Sequence, residues 1–292
     1  MRFSPSGSFS DWLQLLRVDR PVGYWLLLWP TLWGLLAASG GQPSLKNLII
    51  FVAGVLLMRS AGCVINDFAD REFDPHVERT RLRPIAAGKV APGAALIGFV
   101  LMLLVALALV SQTSLLVVGL AVVGAVLAGF YPFLKRYTHF PQAWLGMAFG
   151  WGAVMAWAAE SGAVLNSPVP WLLFLANICW SLSYDTAYAL GDRADDLKIG
   201  VKSTAIWLGD RAVNTIAGLG LVTLLLLGFV VLLHGGTWVV SGWGMALVLQ
   251  LMLCWHLLRR GEAWGFSFFL HSHWVGALFV LGFIVQGLST HF

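Results

Sequence analysis

The sequence predicts an all-α membrane protein with nine transmembrane helices and a cytoplasmic N-terminus. Three observations support this fold class. Hydrophobic residues make up 59% of the 292-residue chain and charged residues only 11%, against about 25% charged residues in soluble domains. Uncharged runs occur at the length of a membrane span, roughly 20 residues each. The basic residues also fall almost entirely on one side of the predicted spans.

The uncharged runs define the helices in chain order. Residues 21–45 give one span. Residues 90–134 are long enough for two spans with a turn near 111–114, and residues 212–258 likewise give two spans with a turn near 234–237. The nine predicted spans are 21–45, 47–66, two within 90–134, 137–159, 161–184, two within 212–258, and 263–292.

The distribution of basic residues predicts the orientation. With a cytoplasmic N-terminus, 16 of the 18 Lys and Arg residues lie in the N-terminal segment or in loops that follow even-numbered spans. Only Lys46 falls on the other side, and only Arg59 lies within a span. This is a strong positive-inside bias. The net charge of +4 therefore reports orientation and contact with membrane lipids, so we expect no nucleic-acid partner. No obligate protein partner is expected either.

The chain is predicted to form a single transmembrane domain over residues 1–292. Residues 1–20 lack an apolar core and are typical of a cytoplasmic amphipathic lead-in. Two cytoplasmic loops, residues 66–91 and residues 191–211, are long and charged, whereas the outer loops are short. Because long loops tend to carry function, we expect these two to form the active site.

The first acidic motif follows the second span. On a continuous helix Asn66, Asp70 and Asp74 repeat every four residues, with Asp67 beside them, so the four share one face. Carboxylates stacked in this way need a compensating cation. Mg²⁺ takes one or two carboxylates and uses waters and substrate phosphates as its other ligands. The alternative is a solvated acidic helix start, where the helix dipole favours Asp.

The second acidic motif follows the sixth span. Asp185, Asp192 and Asp196 are spaced seven and four residues apart, again on one helical face if the helix continues. Asp185 lies about two turns deeper than Asp192, and an acid at that depth indicates a functional site. Two acidic motifs that face one another could hold a diphosphate through bridging Mg²⁺ ions.

Arg59 precedes Asn66 by seven residues, about 10 Å deeper along the same face. A guanidinium binds a carboxylate through two parallel hydrogen bonds, so Arg59 is predicted to clamp a small carboxylate substrate. The alternative is an internal pair with Asp185. Cytoplasmic cations can neutralise a departing diphosphate, although most of them serve topology or contact lipid head groups. The candidates are Arg83, Lys135, Arg136, Lys198 and Lys202.

These motifs make the sequence similar to the UbiA superfamily of intramembrane prenyltransferases. The resemblance covers nearly the whole chain and rests on Arg17–Gly23, on the Asn-Asp-x-x-Asp-x-x-x-Asp pattern at 66–74, and on Asp192–Asp196. The runs at 131–137 and 184–188 resemble the branch of the family that acts on 4-hydroxybenzoate. The resemblance implies nine helices around a central cavity that opens sideways to lipid.

The resemblance also implies an activity and a ligand set. The enzyme would transfer a polyprenyl group from polyprenyl diphosphate to the ring carbon ortho to the hydroxyl of 4-hydroxybenzoate, in ubiquinone biosynthesis at the bacterial inner membrane. Asp67, Asp70, Asp74, Asp192 and Asp196 would hold Mg²⁺ and diphosphate, Asn66 would join them, and Arg59 would meet the aromatic acid. Asp185 or a motif aspartate would take the ring proton. Alternatives are another acceptor within the family or, from a different class, a secondary transporter.

Overall fold

The computed structural model describes residues 7–290 except 77, 79, 135, 194–196, 199 and 201, and excludes the side chains of 132 and 133. The described residues are helical and contain no strand, which confirms the all-α prediction. Nine helices of 17 to 25 residues occur among them, together with two short helices. The helices are α1 (Phe9–Leu15), α2 (Val22–Ala38), α3 (Leu45–Ala69), α4 (Pro92–Val110), α5 (Leu115–Leu134), α6 (Pro141–Ser161), α7 (Val169–Leu190), α8 (Thr204–Leu208), α9 (Ala212–His234), α10 (Thr237–Arg260) and α11 (Gly265–Ser289).

Within the part of the chain that the structure describes, four helical stretches are long and apolar enough to cross a membrane, namely Leu45–Ala69, Pro92–Val110, Thr204–His234 and Thr237–Ser289. Large apolar side chains on α4 are more than half exposed, for example Ile97, Leu101 and Leu104. Exposed apolar surface of this extent indicates a lipid environment. The helices therefore support a multi-pass membrane protein. That all nine cross the bilayer, and that the N-terminus is cytoplasmic, stay predictions.

The predicted turns are confirmed where two spans share one uncharged run. Helix α4 ends at Val110 and α5 begins at Leu115, with the hydroxyl-rich segment 111–114 between them. Helix α9 ends at His234 and α10 begins at Thr237. Gly235 and Gly236 separate these two helices, because glycine disfavours continuation of a helix. The polar residues His234 and Thr237 on either side are typical of a turn at the membrane boundary.

The described chain divides into two compact units. The first comprises residues 1–25 and 49–113, and so contains α1, the start of α2, most of α3, and α4. Its core is built from Leu15 of α1, Val64 of α3, Ala95 of α4, and Ile85 and Val90 from the segment between α3 and α4. The amphipathic lead-in therefore packs its apolar face into protein. Tyr24, at the start of α2, is hydrogen-bonded both to the carbonyl of Leu16, which follows α1, and to the hydroxyl of Ser60 on α3.

The second unit comprises residues 26–48 and 114–292. Helix α7 packs along α6, α9 and α11, and α10 packs along α11. Two helices in this unit approach closely enough that only glycine fits between them. A Cβ at Gly34 on α2 would lie 2.1 Å from the carbonyl oxygen of Ala153 on α6. Small residues that allow such backbone contact are typical of membrane helix pairs.

Candidate active site

The first acidic motif lies where α3 ends. The prediction that one helix runs from Asn66 through Asp74 is wrong, because α3 ends at Ala69 and Asp74 begins a short 3-10 turn, Asp74–His76. After Ala69 the chain tightens into three-residue turns, in which the N–H of Arg71 donates to the carbonyl of Phe68 at 3.4 Å and the N–H of Phe73 to that of Asp70 at 2.8 Å. The four-residue register survives in the turn. The N–H of Asp70 donates to the carbonyl of Asn66 at 3.0 Å, and the N–H of Asp74 donates to that of Asp70 at 2.9 Å.

All three carboxylates are buried within the first unit. Asp67 is 1% exposed, Asp70 6% and Asp74 5%. This burial, at the C-terminal end of α3, contradicts the alternative of a solvated acidic helix start. Buried carboxylates require charge compensation, and arginine side chains supply part of it here.

Arg83 bridges two of the aspartates. Its Nη1 donates to Asp74 at 2.9 Å from Oδ2 and 3.2 Å from Oδ1, and it lies 3.2 Å from Oδ1 of Asp67. Burial alone would lower the pKa of Arg83, but the carboxylates of Asp67 and Asp74 outweigh burial and raise this pKa above its usual value. The side chain therefore stays charged at any pH at which the protein functions.

Arg17 completes this cluster, and sequence reasoning missed it. Its Nη2 donates to both oxygens of Asp67, at 2.8 and 2.9 Å, while its Nη1 donates to the carbonyl of Gln14 at 2.8 Å. Arg17 has a positive φ of 62°, which costs a residue with a Cβ about 1–2 kcal/mol. The only signal in the sequence is that Arg17 belongs to the 17–23 motif. We refer to Asp67, Asp70, Asp74, Arg17 and Arg83 as the acidic cluster.

The donor atoms of the acidic cluster fit Mg²⁺ by type, because carboxylate oxygens are the protein ligands that Mg²⁺ prefers. Among the described residues, however, no group of three or more His, Cys, Asp or Glu side chains is arranged around one metal position. The oxygens of Asp67 and Asp74 are engaged by arginines. The cluster thus offers suitable ligands whose charge is compensated by guanidinium groups.

Arg59 lies on α3, ten residues before the helix ends, and is partly buried. The backbone of Gly23, near the start of α2, lies directly against its guanidinium group. The residues that follow Gly23 and Arg59 are also in contact, since the hydroxyl groups of Tyr24 and Ser60 are hydrogen-bonded at 2.8 Å. Arg59 is thus held at the junction of α2 and α3. The alternative that it pairs with Asp185 stays untested.

The second acidic motif lies at the end of α7 in the second unit. Asp185 is in the helix and partly exposed, but α7 ends at Leu190 and Gly191 caps it. The prediction that Asp192 continues the helical face is therefore wrong. Its N–H donates to the carbonyl of Ala189 at 3.2 Å in a turn. Gly191 explains the end, since glycine has low helix propensity. Asp196 lies outside the described residues.

Arg193 anchors the segment that carries Asp192, and sequence reasoning did not single it out. Its Nη1 forms an ion pair with Glu262 at 2.8 Å, in the turn between α10 and α11. The same atom donates to the carbonyl of Gly209 at 3.4 Å, next to α9. Nothing in the local sequence marks these two long-range partners. The contacts of Arg193 therefore connect the segment that carries Asp192 to two other loops of the same unit.

The remaining predicted cations differ in their surroundings. Arg136 and Lys198 are exposed. Lys202 donates from Nζ to the carbonyl of Tyr137 at 3.3 Å, which connects the 191–211 loop to the segment after α5. Lys135 lies outside the described residues. Of the predicted cations, Arg83 forms ion pairs with the motif aspartates Asp67 and Asp74.

Comparisons with known proteins agree with this architecture. The sequence model of the UbiA prenyltransferase family matches residues 27–284. The 4-hydroxybenzoate octaprenyltransferase of Ectopseudomonas mendocina is 48% identical over 282 residues, which cover 94% of this chain and 93% of the relative. The apo structure of a UbiA homolog from Aeropyrum pernix covers 91% of this chain and 98% of its own, with a TM-score of 0.77 at 20% identity.

A second solved structure, a UbiA homolog from Archaeoglobus fulgidus bound to GPP and Mg²⁺, covers 94% of this chain and 99% of its own, with a TM-score of 0.72 at 18% identity. At this level of identity the two structures show a shared fold. The family match and the close relative go further, because they extend over nearly the whole sequence. The chain belongs to the UbiA prenyltransferase family.

Proposed function

We propose that this protein transfers a polyprenyl group from polyprenyl diphosphate to the ring carbon ortho to the hydroxyl of 4-hydroxybenzoate. The products are 3-polyprenyl-4-hydroxybenzoate and diphosphate, in ubiquinone biosynthesis. The name and near full-length similarity of the Ectopseudomonas relative support this substrate pair. The observation that carries the chemistry is the acidic cluster, in which buried carboxylates and arginines meet where α3 ends.

The donor site in this proposal is built from both acidic motifs. Asp67, Asp70 and Asp74, joined by Asn66, would hold Mg²⁺ together with Asp192 and Asp196. Bound Mg²⁺ supplies positive charge that stabilises the departing diphosphate. The Archaeoglobus homolog, whose structure is bound to GPP and Mg²⁺, supports Mg²⁺ and a prenyl diphosphate as the bound species.

The arginines of the acidic cluster balance the aspartates before substrate arrives. Arg83 lies within hydrogen-bonding distance of Asp74 and close to Asp67. A guanidinium that shares two carboxylates can turn one of its N–H groups toward a phosphate oxygen, because it carries five donors. Further positive charge for the leaving diphosphate comes from the cytoplasmic loops, through Lys135, Arg136, Lys198 and Lys202.

The acceptor site centres on Arg59. Its guanidinium would hold the carboxylate of 4-hydroxybenzoate through two parallel hydrogen bonds, which fixes the direction of the ring. The ring carbon ortho to the hydroxyl would then face the donor. Arg59 lies deeper along α3 than Asp67, so the diphosphate would occupy the end of the helix and the aromatic acid the level below it.

The bond changes follow from this arrangement. The bond between the donor's first carbon and its diphosphate oxygen breaks, and its electron pair leaves with the diphosphate. The ring carbon attacks the allylic cation, and the ring proton passes to Asp185 or to one of the motif aspartates. Tyr188 lies one turn along α7 from Asp185, and its ring packs against that of Phe269 on α11 with centroids 4.9 Å apart. These aromatic faces could stabilise the cation. Loops 66–91 and 191–211 would exclude water, which otherwise captures the cation.

In the membrane the nine long helices would each cross the bilayer, with the N-terminus in the cytoplasm. The acidic cluster would then face the cytoplasm, at the inner membrane of a bacterium. The positive-inside distribution of Lys and Arg supports this orientation. A laterally open cavity would let the isoprenoid tail stay in lipid.

The test is an acceptor assay with purified protein in detergent. We expect Mg²⁺-dependent prenyl transfer to 4-hydroxybenzoate, with far less transfer to homogentisate or to a dihydroxynaphthoate. Asp70→Ala should lose at least about a hundredfold in rate. Glu72→Ala is the matched control, because Glu72 belongs to the same motif but its side chain is 74% exposed. Full activity of Asp70→Ala would rule out this metal site, and a preference for another acceptor would rule out the substrate.

A further inference from the structure

We propose that Gly23 is a positioning residue for the acceptor, because its missing side chain creates the space in which the Arg59 guanidinium lies. This inference rests on the proposed role of Arg59 as the carboxylate clamp. It adds a second residue, on a different helix, to the determinants of acceptor specificity. Gly23 itself need not touch the substrate.

The contact between Gly23 and Arg59 is unusually close. A Cβ built on Gly23 would lie 2.3 Å from Nη2 of Arg59, 2.6 Å from Nε and 2.7 Å from Cζ. Ordinary contacts of a Cβ begin at 3.4 Å. All three atoms belong to the guanidinium plane, so the charged group as a whole packs against the α2 backbone. Any side chain at position 23 would force it to move.

The backbones on either side of this contact are fixed by hydrogen bonds. Tyr24, which follows Gly23, donates from its hydroxyl to the carbonyl of Leu16 at 2.6 Å. That hydroxyl is also bonded to Ser60, which follows Arg59, at 2.8 Å. Both Tyr24 and Ser60 are buried. Since α2 and α3 are tied at this level, an added methyl group displaces the flexible end of Arg59 more easily than it separates the helices.

Two glycines on α3, the helix that carries Arg59, have no such close contact. A Cβ built on Gly54 or on Gly62 would meet nothing within 4 Å. These two positions flank Arg59 on the same helix, at five residues before and three residues after it. A glycine is therefore not required along α3 in general. It is required where α2 passes the guanidinium.

The displacement has a defined chemical effect. To reach ordinary contact the guanidinium must retreat by about 1 Å, and a two-bond carboxylate contact depends on both distance and direction. Gly23→Ala should therefore raise the KM for 4-hydroxybenzoate about tenfold or more, since charge-assisted hydrogen bonds typically contribute that much binding. The KM for polyprenyl diphosphate should stay unchanged, because the donor carries no carboxylate.

The experiment compares steady-state kinetics of Gly23→Ala, Arg59→Ala, the double variant, and Gly54→Ala as the matched control, each in full-length protein in detergent. We expect Gly54→Ala to match the unaltered protein. We expect Gly23→Ala to raise the acceptor KM selectively and to add nothing in the Arg59→Ala background. A thermal midpoint for Gly23→Ala equal to that of Gly54→Ala would show that the fold is retained.

Three results would overturn the inference. They are an unchanged acceptor KM in Gly23→Ala, an effect that adds in full to that of Arg59→Ala, and loss of folding in Gly23→Ala alone, which would make Gly23 a packing residue. Failure of the proposed function looks different. In that case Arg59→Ala would leave the acceptor KM unchanged, or phenol without a carboxylate would serve as well as 4-hydroxybenzoate.

Discussion

Replacement of Arg83 by alanine tests whether the acidic cluster stabilises the fold. The substitution removes the donor that lies 2.9 Å from Asp74 and 3.2 Å from Asp67. Both carboxylates are almost completely buried, and the Arg83 side chain itself is only 18% exposed. Removal of one partner of a buried ion pair costs about 3–5 kcal/mol, because the other charge stays buried.

The expected loss lies below that range. Arg17 still compensates Asp67, and solvent reaches part of the Arg83 side chain. We therefore expect the free energy of unfolding to fall by about 2–3 kcal/mol. For a chain of this size the thermal midpoint should fall by roughly 5–10 °C. A thermal scan in detergent, followed by circular dichroism at the helix band, measures this directly.

A nearby arginine supplies the control. Arg81 pairs with Glu78, but the two side chains are 54% and 82% exposed, so Arg81→Ala should change stability by less than about 1 kcal/mol. Asp74→Asn combined with Arg83→Ala should recover part of the loss, because it removes the uncompensated charge. Equal midpoints for Arg83→Ala and Arg81→Ala would refute the reasoning.

The pH dependence gives a further check on the same variant. The folded-state pKa of Arg83 is raised, so its contribution is fully present below the unfolded-state pKa and is lost only when pH rises through the folded-state value. Both pKa values lie far above neutral pH. The arginine's own titration should therefore leave the difference between Arg83→Ala and the unaltered protein constant between pH 6 and pH 9.

Two further substitutions probe helix packing in the second unit. Gly34→Ala should lower the free energy of unfolding by at least about 1–3 kcal/mol, because its Cβ would lie 2.1 Å from a backbone oxygen of Ala153 and the helices must separate; a thermal midpoint no lower than that of Gly54→Ala would contradict this. Glu160→Ala should lower the free energy of unfolding by about 1 kcal/mol. The Glu160 carboxylate accepts from the N–H and the hydroxyl of Ser44 at 3.1 and 3.0 Å, just before α3 begins. An unchanged thermal midpoint would show that water replaces these hydrogen bonds.

The sequence could predict the long apolar helices and the turns between them, because these depend on the hydrophobicity of stretches of about 20 residues. The turns near residues 111–114 and 234–237 were predictable because each interrupts an uncharged run about twice the length of one span. A helix end that depends on one residue was missed, although the signal was present. Gly191 ends a helix that the spacing of the aspartates suggested would continue.

The site was predictable as a set of acids and less so as a set of contacts. The aspartates could be identified because they are close in sequence, and residues three or four apart are neighbours on the surface of a helix. Arg17 could not, because it reaches Asp67 across 50 residues of chain. The same is true of Arg193, whose partner Glu262 lies in a distant turn. Long-range ion pairs leave no periodic trace in a sequence.

The ion pair between Arg17 and Asp67 has a consequence for the order of assembly. The first unit is discontinuous, since the chain leaves it after residue 25 and returns at residue 49. Contacts of this kind have high contact order, so the entropy of closing the intervening loop must be overcome before they form. During synthesis a nascent chain that has just exposed Asp74 carries all three aspartates but still lacks Arg83. Of the two arginines in the acidic cluster, Arg17 has then been made and Arg83 has not, so Arg17 can compensate the new carboxylates before Arg83 exists.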